Sequence, residues 1–366
     1  MLRRMEAMSY PRKIRLWTIQ WIAPALLIAI ATCACDGERI SAEPSELALG
    51  RKLFADPQLS LDGQVSCATC HDAGRFFTDR RTTSIGVHRR GGTRNSPSLL
   101  DVGAMRSFFW DGRETRLEDA VLQPLSNPAE MGLTSAQAAV AKITADPSYA
   151  PLLERLRGDF DEGALADALS GYLRSLPPVR SRYDLHATNT TMLSPDERDG
   201  LALFQGKAAC SECHRIEGQP ASFTDHRFHH AGIGFERAAG AVAQTMTKLT
   251  TARARKTPIG ELILADPQIA ELGRFAVTQR PEDLGAFRTP TLRNIANTAP
   301  YMHDGSIATL QEAIEREIYY RSLARGRPIS LTITEQRQLL AFLQALSAPA
   351  DDTGPAAHAG AESAAP

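Results

Sequence analysis

The chain has 366 residues, a length that allows two domains of ordinary size. Its 41 basic and 42 acidic residues give a formal net charge of −1, so its charge gives no reason to expect nucleic acid or an anionic surface as a partner. Four of the six cysteines lie in two Cys-x-x-Cys-His motifs and the others are Cys33 and Cys35, which leaves no cysteine pair for a disulfide framework after residue 35.

Residues 1–35 are typical of an export signal. An apolar run over residues 16–34 follows the basic residues Arg3, Arg4, Arg12, Lys13 and Arg15. Gln20 and Pro24 interrupt that run, which disfavours an uncleaved transmembrane anchor but leaves it open. The residues around Cys33 and Cys35 resemble a lipoprotein signal only loosely, so a lipid anchor also stays open.

The two Cys-x-x-Cys-His motifs are Cys67-Ala-Thr-Cys70-His71 and Cys210-Ser-Glu-Cys213-His214. Each motif predicts one covalently bound c-type haem, because two thiols at this spacing can add to the porphyrin vinyl groups and the adjacent imidazole can ligate the iron. A zinc site would not need a histidine directly after each pair, and a thioredoxin-like motif would need only one pair. Such haems are attached outside the cytoplasmic membrane, so the motifs and the export signal together predict a periplasmic protein, soluble or attached to the membrane as a lipoprotein.

Sequence features of the first half recur in the same order in the second half. The matching pairs are Gly50-x-x-Leu53-Phe54 with Gly200-x-x-Leu203-Phe204, Phe77-Thr-Asp with Phe223-Thr-Asp, Arg94-Asn-Ser-Pro97 with Arg288-Thr-Pro290, and Trp110-Asp-Gly with His303-Asp-Gly. This internal repeat predicts a duplicated haem domain.

Helical periodicity recurs along the chain, whereas strand signals are sparse. We expect helices over residues 47–53, 136–143, 152–156, 164–173, 201–204, 310–318 and 335–346. The predicted fold is all-α, with two tandem cytochrome c-like haem domains and the active haem near their interface. Residues 41–190 form the first domain and residues 191–348 the second, while residues 349–366 lack large apolar side chains and are expected to form a disordered tail.

The positions where the two halves differ are the most informative about chemistry. Trp110 takes the place of His303, and its indole could pack in the core or carry an electron hole between two macrocycles. Pro124, which cannot coordinate a metal, takes the place of Glu317. The first haem is therefore expected to have an open face, whereas Glu317, Tyr319 or Tyr320 could ligate the second iron or could simply be helix surface or core residues.

These residues resemble the bacterial di-haem cytochrome c peroxidase family, including its MauG-type branch, which oxidises a partner protein. The resemblance extends over residues 45–347. It rests on both haem motifs, on Val87-His88-Arg-Arg-Gly-Gly-Thr-Arg-Asn95-Ser-Pro97, Phe109-Trp110-Asp-Gly-Arg113, Pro124-Leu-Ser-Asn-Pro-Ala-Glu130-Met-Gly132 and Leu272-Gly-Arg-Phe-Ala-Val-Thr, and on Phe287-Arg-Thr-Pro-Thr-Leu-Arg-Asn294 and Ala299-Pro300-Tyr-Met-His-Asp-Gly305.

The resemblance implies a role for several residues at the first haem. The haem on His71 would be the peroxidatic one, and Glu130 would be the acid/base carboxylate beside its iron. Trp110 would lie between the two haems. His88 would take the place of a histidine that ligates the peroxidatic haem in the resting oxidised enzyme and moves away on reduction.

The resemblance also implies a calcium ion at the domain interface. Its ligands would be the side chain of Asn95 and the backbone carbonyls of Thr298 and Pro300, which are oxygen ligands suited to a hard cation. Two departures stand out. The family's glutamine near the peroxidatic haem is Ala120 here, and its methionine ligand on the second haem is Glu317, which favours the MauG-type branch.

Three functions follow from these expectations. The first is a peroxidase that reduces hydrogen peroxide to water with electrons passed through the second haem from a small cytochrome c or cupredoxin. The second is a MauG-type enzyme that uses peroxide to oxidise a residue on a partner protein. The third and least favoured is a plain di-haem electron carrier. The oligomeric state, including a homodimer, stays open.

Overall fold

The computed structural model describes residues 45–178 and 180–348, with the side chain of Phe235 left out. The predicted export signal and the predicted tail over residues 349–366 lie outside these ranges. Within the described ranges, no helix has the length and apolar composition that a membrane crossing requires.

Helices make up most of the regular structure in the described residues, which confirms the mainly helical fold. The α-helices are α1 (Ser45–Ala55), α2 (Cys67–Cys70), α3 (Leu117–Ser126), α4 (Ala136–Ala145), α5 (Ala150–Leu153), α6 (Glu162–Ser175), α7 (Arg182–Ala187), α8 (Pro195–Gln205), α9 (Phe235–Ala239), α10 (Val242–Ala254), α11 (Ile259–Ala265), α12 (Pro267–Glu271), α13 (Phe275–Thr278), α14 (Leu310–Arg325) and α15 (Ile333–Ala345). Strands β1 (Phe228–His230) and β2 (Ala286–Arg288) form one antiparallel pair in which Phe228 lies opposite Arg288.

The helices begin where side chains can satisfy the free amides of the first turn. Ser194 accepts a hydrogen bond from the amide of Glu197 at the start of α8, and Thr332 does the same for Glu335 at the start of α15. The helix expected over residues 152–156 is shorter than predicted. It ends at Leu153, and the next residues turn towards Gly158, whose φ of 94° departs from a helical path.

The two halves share one helix–helix contact. α1 packs on α6 in the first half, and α8 packs on α15 in the second. A Cβ atom on Gly50 would lie 2.0 Å from the carbonyl oxygen of Ala168, and a Cβ on Gly200 would lie 2.0 Å from that of Gln338. In each half, a glycine therefore lets two helix backbones touch.

The segments Trp110-Asp-Gly and His303-Asp-Gly also have the same backbone conformation in both halves. Phe109 and Met302, which precede Trp110 and His303, both have positive φ values, 64° and 73°. An isolated antiparallel bridge closes each turn, Phe108 with Glu114 and Tyr301 with Ile307. The sequence repeat therefore corresponds to a repeated local geometry.

Each half has a hydrophobic core on one side of these helices. The first core contains Leu49, Leu53, Phe54, Phe77, Leu125 and Leu169, and the second is built on Phe204, Phe223 and Phe342, whose rings meet edge to face. Residues 45–348 belong to one compact unit, and the predicted boundary near residue 190 stays a prediction. The halves contact each other where the amide of Arg288 donates to the carbonyl of Trp110 at 2.9 Å.

We predict that Gly50→Ala destabilises the protein by about 1–3 kcal/mol, because the added methyl group would press on the backbone of α6. Gly171→Ala is the matched control, since its Cβ would meet only Leu47 Cδ2 at 3.7 Å and the substitution should be neutral or stabilise the helix by up to about 1 kcal/mol. Chemical denaturation of both variants measures the difference. Equal stabilities would contradict the close helix contact.

Candidate functional site

Each Cys-x-x-Cys-His motif folds into its own tight turn. The first forms α2, and the second forms a 3₁₀ turn over Cys210–Glu212. In each turn the amide of the histidine donates to the carbonyl of the first cysteine at 2.9 Å. The four motif cysteines are free thiols rather than disulfides, so each pair is available for two thioether bonds.

The two histidines are held by the same kind of hydrogen bond. His71 Nδ1 donates to the carbonyl of Phe77 at 3.1 Å, and His214 Nδ1 donates to the carbonyl of Phe223 at 3.0 Å. Burial lowers the pKa of both imidazoles, that of His214 to about 4, so both rings are neutral at pH 7. Since Nδ1 is engaged, Nε2 is the nitrogen left to ligate a metal, which is how proteins usually orient a ligating histidine.

Both motifs line one continuous cavity of about 440 Å³. Most of its wall is apolar, and the exceptions include Glu130, Glu317, His229 and several arginines. Each c-type haem requires two thiols, one oriented neutral imidazole and apolar surroundings. This cavity provides that set of groups at two places. The residues present therefore fit these cofactors.

Glu130 is a buried carboxyl group in the wall of this cavity. Its Oε2 atom has no hydrogen-bond partner in the part of the chain that the structure describes. Burial raises the pKa of Glu130 to about 7, and the guanidinium of Arg113 offsets only part of that effect. A carboxyl group that titrates near neutral pH can both accept and return a proton.

The backbone around Glu130 is fixed by its neighbours. The amide of Val87 donates to the carbonyl of Glu130 at 2.8 Å, and a Cβ on Gly86 would lie 2.5 Å from that same oxygen. Pro124 lies inside α3, and its carbonyl accepts from the amide of Met131 at 3.0 Å. The helix continues for two residues beyond Pro124 to Ser126, and the proline side chain offers no ligand to the cavity.

Trp110 also lines the cavity that the two motifs share. Its indole Nε1 donates to the carbonyl of Asn95 at 2.9 Å, and its own carbonyl accepts from Arg288. The ring is therefore held from both halves. Its position between two haems stays a prediction.

The structure does not bring His88 to the cavity. Its side chain is 53% exposed, and its Nδ1 lies 3.9 Å from Asp62 Oδ2. The same carboxylate accepts from the amide of His88 at 2.8 Å, and the residue has a φ of 54°. In this arrangement His88 does not line the cavity, and both an open face of the first haem and its ligation by His88 in another redox state stay predictions.

The three predicted calcium ligands all contribute to the cavity wall. Asn95 is buried, and its Nδ2 donates to the carbonyl of Arg81 at 2.9 Å, which leaves Oδ1 as the atom for a cation. Thr298 and Pro300 line the same cavity. The calcium ion itself stays a prediction.

Among the candidate ligands for the second haem, Glu317 lines the cavity, whereas Tyr319 and Tyr320 do not. Tyr319 is 55% exposed, and Tyr320 packs its ring against Gly232. Burial raises the pKa of Glu317, and Arg321 Nε lies 3.5 Å from its Oε2. The helix therefore presents a carboxylate rather than a phenol to the cavity.

The sequence analysis missed several charged residues of this region. Arg94 and Arg288 line the cavity, and His303 is held by Glu271, with 3.0 Å between Nε2 and Oε2. Arg94 and Arg288 belong to the matching segments Arg94-Asn-Ser-Pro97 and Arg288-Thr-Pro290, so the repeat was the available signal. Glu271 carried no such signal, because it comes from α12 in a segment outside the repeat.

Known proteins resemble this chain over most of its length. A family model described as di-haem cytochrome c peroxidase matches residues 44–191. The methylamine utilization protein MauG of Methylorubrum extorquens is 32% identical over 314 residues, which cover 83% of this chain and 79% of that protein. The cytochrome-c peroxidase IdrP2 of a Pseudomonas strain is 30% identical and covers 83% and 82%. The crystal structure of a MauG-like protein associated with microbial copper homeostasis has a TM-score of 0.67 and 31% identity, over 83% of this chain and 89% of that one.

We predict that Glu130 stays protonated up to about pH 7 in the folded protein, because burial disfavours its charged form. The folded chain then binds more protons than the unfolded chain between the ordinary carboxyl pKa of 4.5 and about 7, so this residue's contribution to stability declines as the pH rises through that window. Infrared titration should show a protonated carboxyl band that disappears near pH 7 and is absent from Glu130→Gln. A midpoint near 4.5 would contradict the prediction.

Proposed function

The chain belongs to the di-haem cytochrome c peroxidase family, and on that premise we propose that it reduces hydrogen peroxide to water at the haem on His71. The observation that carries this proposal is the buried, unpartnered Oε2 oxygen of the Glu130 carboxyl in the same cavity as His71. Proteins rarely leave a buried carboxyl without a partner, and such groups are concentrated at active sites. A plain electron carrier would have no use for it.

Reduction of one peroxide molecule consumes two electrons and two protons and yields two water molecules. The bound haem supplies a redox-active iron that binds peroxide. Glu130 handles the proton: its ionised carboxylate accepts one from the inner peroxide oxygen, and its protonated form returns it to the outer oxygen, which leaves as water. A pKa near 7 keeps both forms accessible at neutral pH.

Of the two electrons, one would come from the haem on His71 and the other from the haem on His214 in the second half of the protein. We assign the haem on His214 to electron storage and Trp110 to the route between the two haems. Trp110 suits this role because hydrogen bonds to Asn95 and Arg288 fix the ring and its backbone in the shared cavity wall. A small cytochrome c or cupredoxin would return the two electrons.

We also propose a domain organisation, a calcium site and a cellular location for this protein. Two tandem cytochrome c-like domains, one before and one after residue 190, are supported by the matching helix contacts at Gly50 and Gly200. A calcium ion on Asn95, Thr298 and Pro300 would stabilise their junction. The export signal predicted over residues 1–35 supports a periplasmic location, with a lipid anchor on Cys33 or Cys35 as the membrane-attached form.

A MauG-type reaction is the second candidate. One relative at 32% identity is a MauG protein, and one similar crystal structure is that of a MauG-like protein, so both favour that branch. The glutamate at position 317, in place of a methionine, favours it as well. In this reaction a residue on a docked protein would supply the electrons and would itself become oxidised.

We predict that Glu130→Gln lowers the rate of peroxide reduction by about 10²–10⁴-fold, because the amide cannot exchange a proton. Glu114→Gln is the matched control: Glu114 is a carboxyl of the same half whose side chain bonds to Gln123 and does not line the cavity. The assay follows oxidation of reduced cytochrome c by peroxide, with haem content measured for each variant. Equal losses in both variants would remove Glu130 from the mechanism.

The same preparation separates the two reactions. A peroxidase should require prior reduction by one electron and should turn over rapidly with reduced cytochrome c. A MauG-type enzyme should react with peroxide while fully oxidised, give a long-lived oxidised state and turn over poorly with the cytochrome. Absence of any reaction with peroxide would leave only the electron carrier.

We further propose that Glu317 ligates the second haem, because it is the candidate that the cavity wall presents. Glu317→Ala should then convert one low-spin iron to high spin in the electron paramagnetic resonance spectrum of the oxidised protein. Tyr320→Phe is the control and should leave the spectrum unchanged, since Tyr320 does not line the cavity. The opposite pattern would assign the ligand to the tyrosine.

A further inference from the structure

Two buried arginines, Arg94 and Arg288, differ from the other arginines of the cavity wall. Each is 8% exposed, and among the described residues neither lies within ion-pair distance of an acidic group. The other arginines of the wall do have such partners. Arg113 pairs with Asp111 at 2.8 Å, Arg293 with Asp101 at 2.8 Å, and Arg321 with Glu317 at 3.5 Å.

Arg94 is only partly satisfied by the protein. Its Nη2 donates to the carbonyl of Ala270, while its Nε and Nη1 are buried with no hydrogen-bond partner in the described part of the chain. Its guanidinium also lies over the ring of Phe287, 5.0 Å from the centroid. A buried cation with two unused donors is unfavourable unless an anion completes the site.

Arg288 has partners that do not neutralise its charge. Its Nε donates to the carbonyl of Phe109 at 3.2 Å, and its Nη1 lies 3.6 Å from the sulfur of Met105. Burial lowers the pKa of both arginines to about 10, so both stay protonated at neutral pH. The cavity wall therefore holds two positive charges that the described residues leave without a direct counterion.

Each guanidinium donates a hydrogen bond to a backbone carbonyl of the other half. Arg94 belongs to the first half and bonds to Ala270 in the second, whereas Arg288 belongs to the second half and bonds to Phe109 in the first. Both are also linked to Trp110. The residue after Arg94 accepts from the indole, and the amide of Arg288 donates to the carbonyl of Trp110.

We propose that Arg94 and Arg288 each bind a propionate carboxylate of the two haems and thereby hold both porphyrins against the junction at Trp110. This inference rests on the proposed function, since it requires both haems. Each porphyrin carries carboxylates, and a guanidinium matches a carboxylate with two parallel hydrogen bonds. Because Nη2 of Arg94 is used by Ala270, and because Nε and Nη1 point to opposite edges of the guanidinium, a carboxylate would accept from one of these two free donors.

The arrangement would also set the properties of the haems. A fixed positive charge at a propionate stabilises that carboxylate and raises the reduction potential of the attached iron, because it offsets negative charge near the metal. The backbone around each arginine is linked to the residue assigned to electron transfer, through the carbonyl of Asn95 and through the amide of Arg288. The two arginines would therefore adjust the potentials of the two haems at the point where electrons cross.

The test is resonance Raman spectroscopy of the purified haem-loaded protein, in which the propionate bending bands report hydrogen bonds to the carboxylates. Arg94→Met and Arg288→Met should each shift a propionate band and lower the midpoint potential of one haem, and Arg94→Lys should restore most of both. Arg274→Met is the matched control. Arg274 donates to the carbonyl of Asp111 at 3.0 Å at the same junction but does not line the cavity, so its variant should leave the bands unchanged.

The outcomes are distinguishable. Unchanged propionate bands in both methionine variants, at full haem content, would overturn the inference and leave the proposed function intact. Bands that respond to added chloride rather than to either substitution would assign the arginines to a small anion and would also overturn it. If a methionine variant fails to fold, Arg94→Lys decides, because its single ammonium donor should still shift the band by a smaller amount. Protein isolated from a cytochrome c maturation host without porphyrin bands would refute the proposed function itself.

Discussion

The hydrogen bond from each motif histidine to a phenylalanine carbonyl is the contact on which the rest of the site depends. It fixes the tautomer and direction of His71 and His214, and so decides which ring nitrogen faces the cavity. To present those carbonyls, Phe77 and Phe223 adopt φ values of 58° and 50°, a conformation that costs a residue with a side chain roughly 1 kcal/mol or more. Their rings are almost completely buried in the two cores, and that burial, worth about 1.5–3 kcal/mol each, offsets the strain.

Shared geometry makes the differences between the halves easy to interpret. Pro124 and Glu317 occupy corresponding helices and both line the cavity, yet only Glu317 has a side-chain oxygen atom. Conversely, the first half carries Glu130, whose Oε2 has no partner among the described residues. The corresponding helix of the second half, α14, offers no equivalent carboxyl there, and its Leu323 is exposed. The first half therefore offers a carboxyl group for proton transfer, whereas the second half offers a carboxylate at the helix position that proline occupies in the first.

Features that depend on the local spacing of residues could be predicted from the sequence. The two motifs, the repeat and most of the helices needed only the residue pattern, and the cavity wall contains Glu130 and Trp110 as expected. The side of the helix that faces the second haem could also have been deduced, since Leu310, Ile314, Glu317 and Arg321 follow a helical period and Tyr319 does not. The exposure of His88 and the lack of an ion-pair partner for Arg94 and Arg288 among the described residues could not be deduced from the sequence, because they depend on segments far apart in the chain.

The continuity of the cavity has a consequence for the speed of electron exchange. Both motifs line one mostly apolar wall, and the dipoles nearby are pinned: the indole by Asn95 and both imidazoles by backbone carbonyls. Fixed dipoles rearrange little when a charge moves past them, whereas water must reorient. In the proposed function, these apolar and fixed surroundings would keep the reorganisation energy for transfer between the two haems small, so a modest driving force would be enough for rapid exchange.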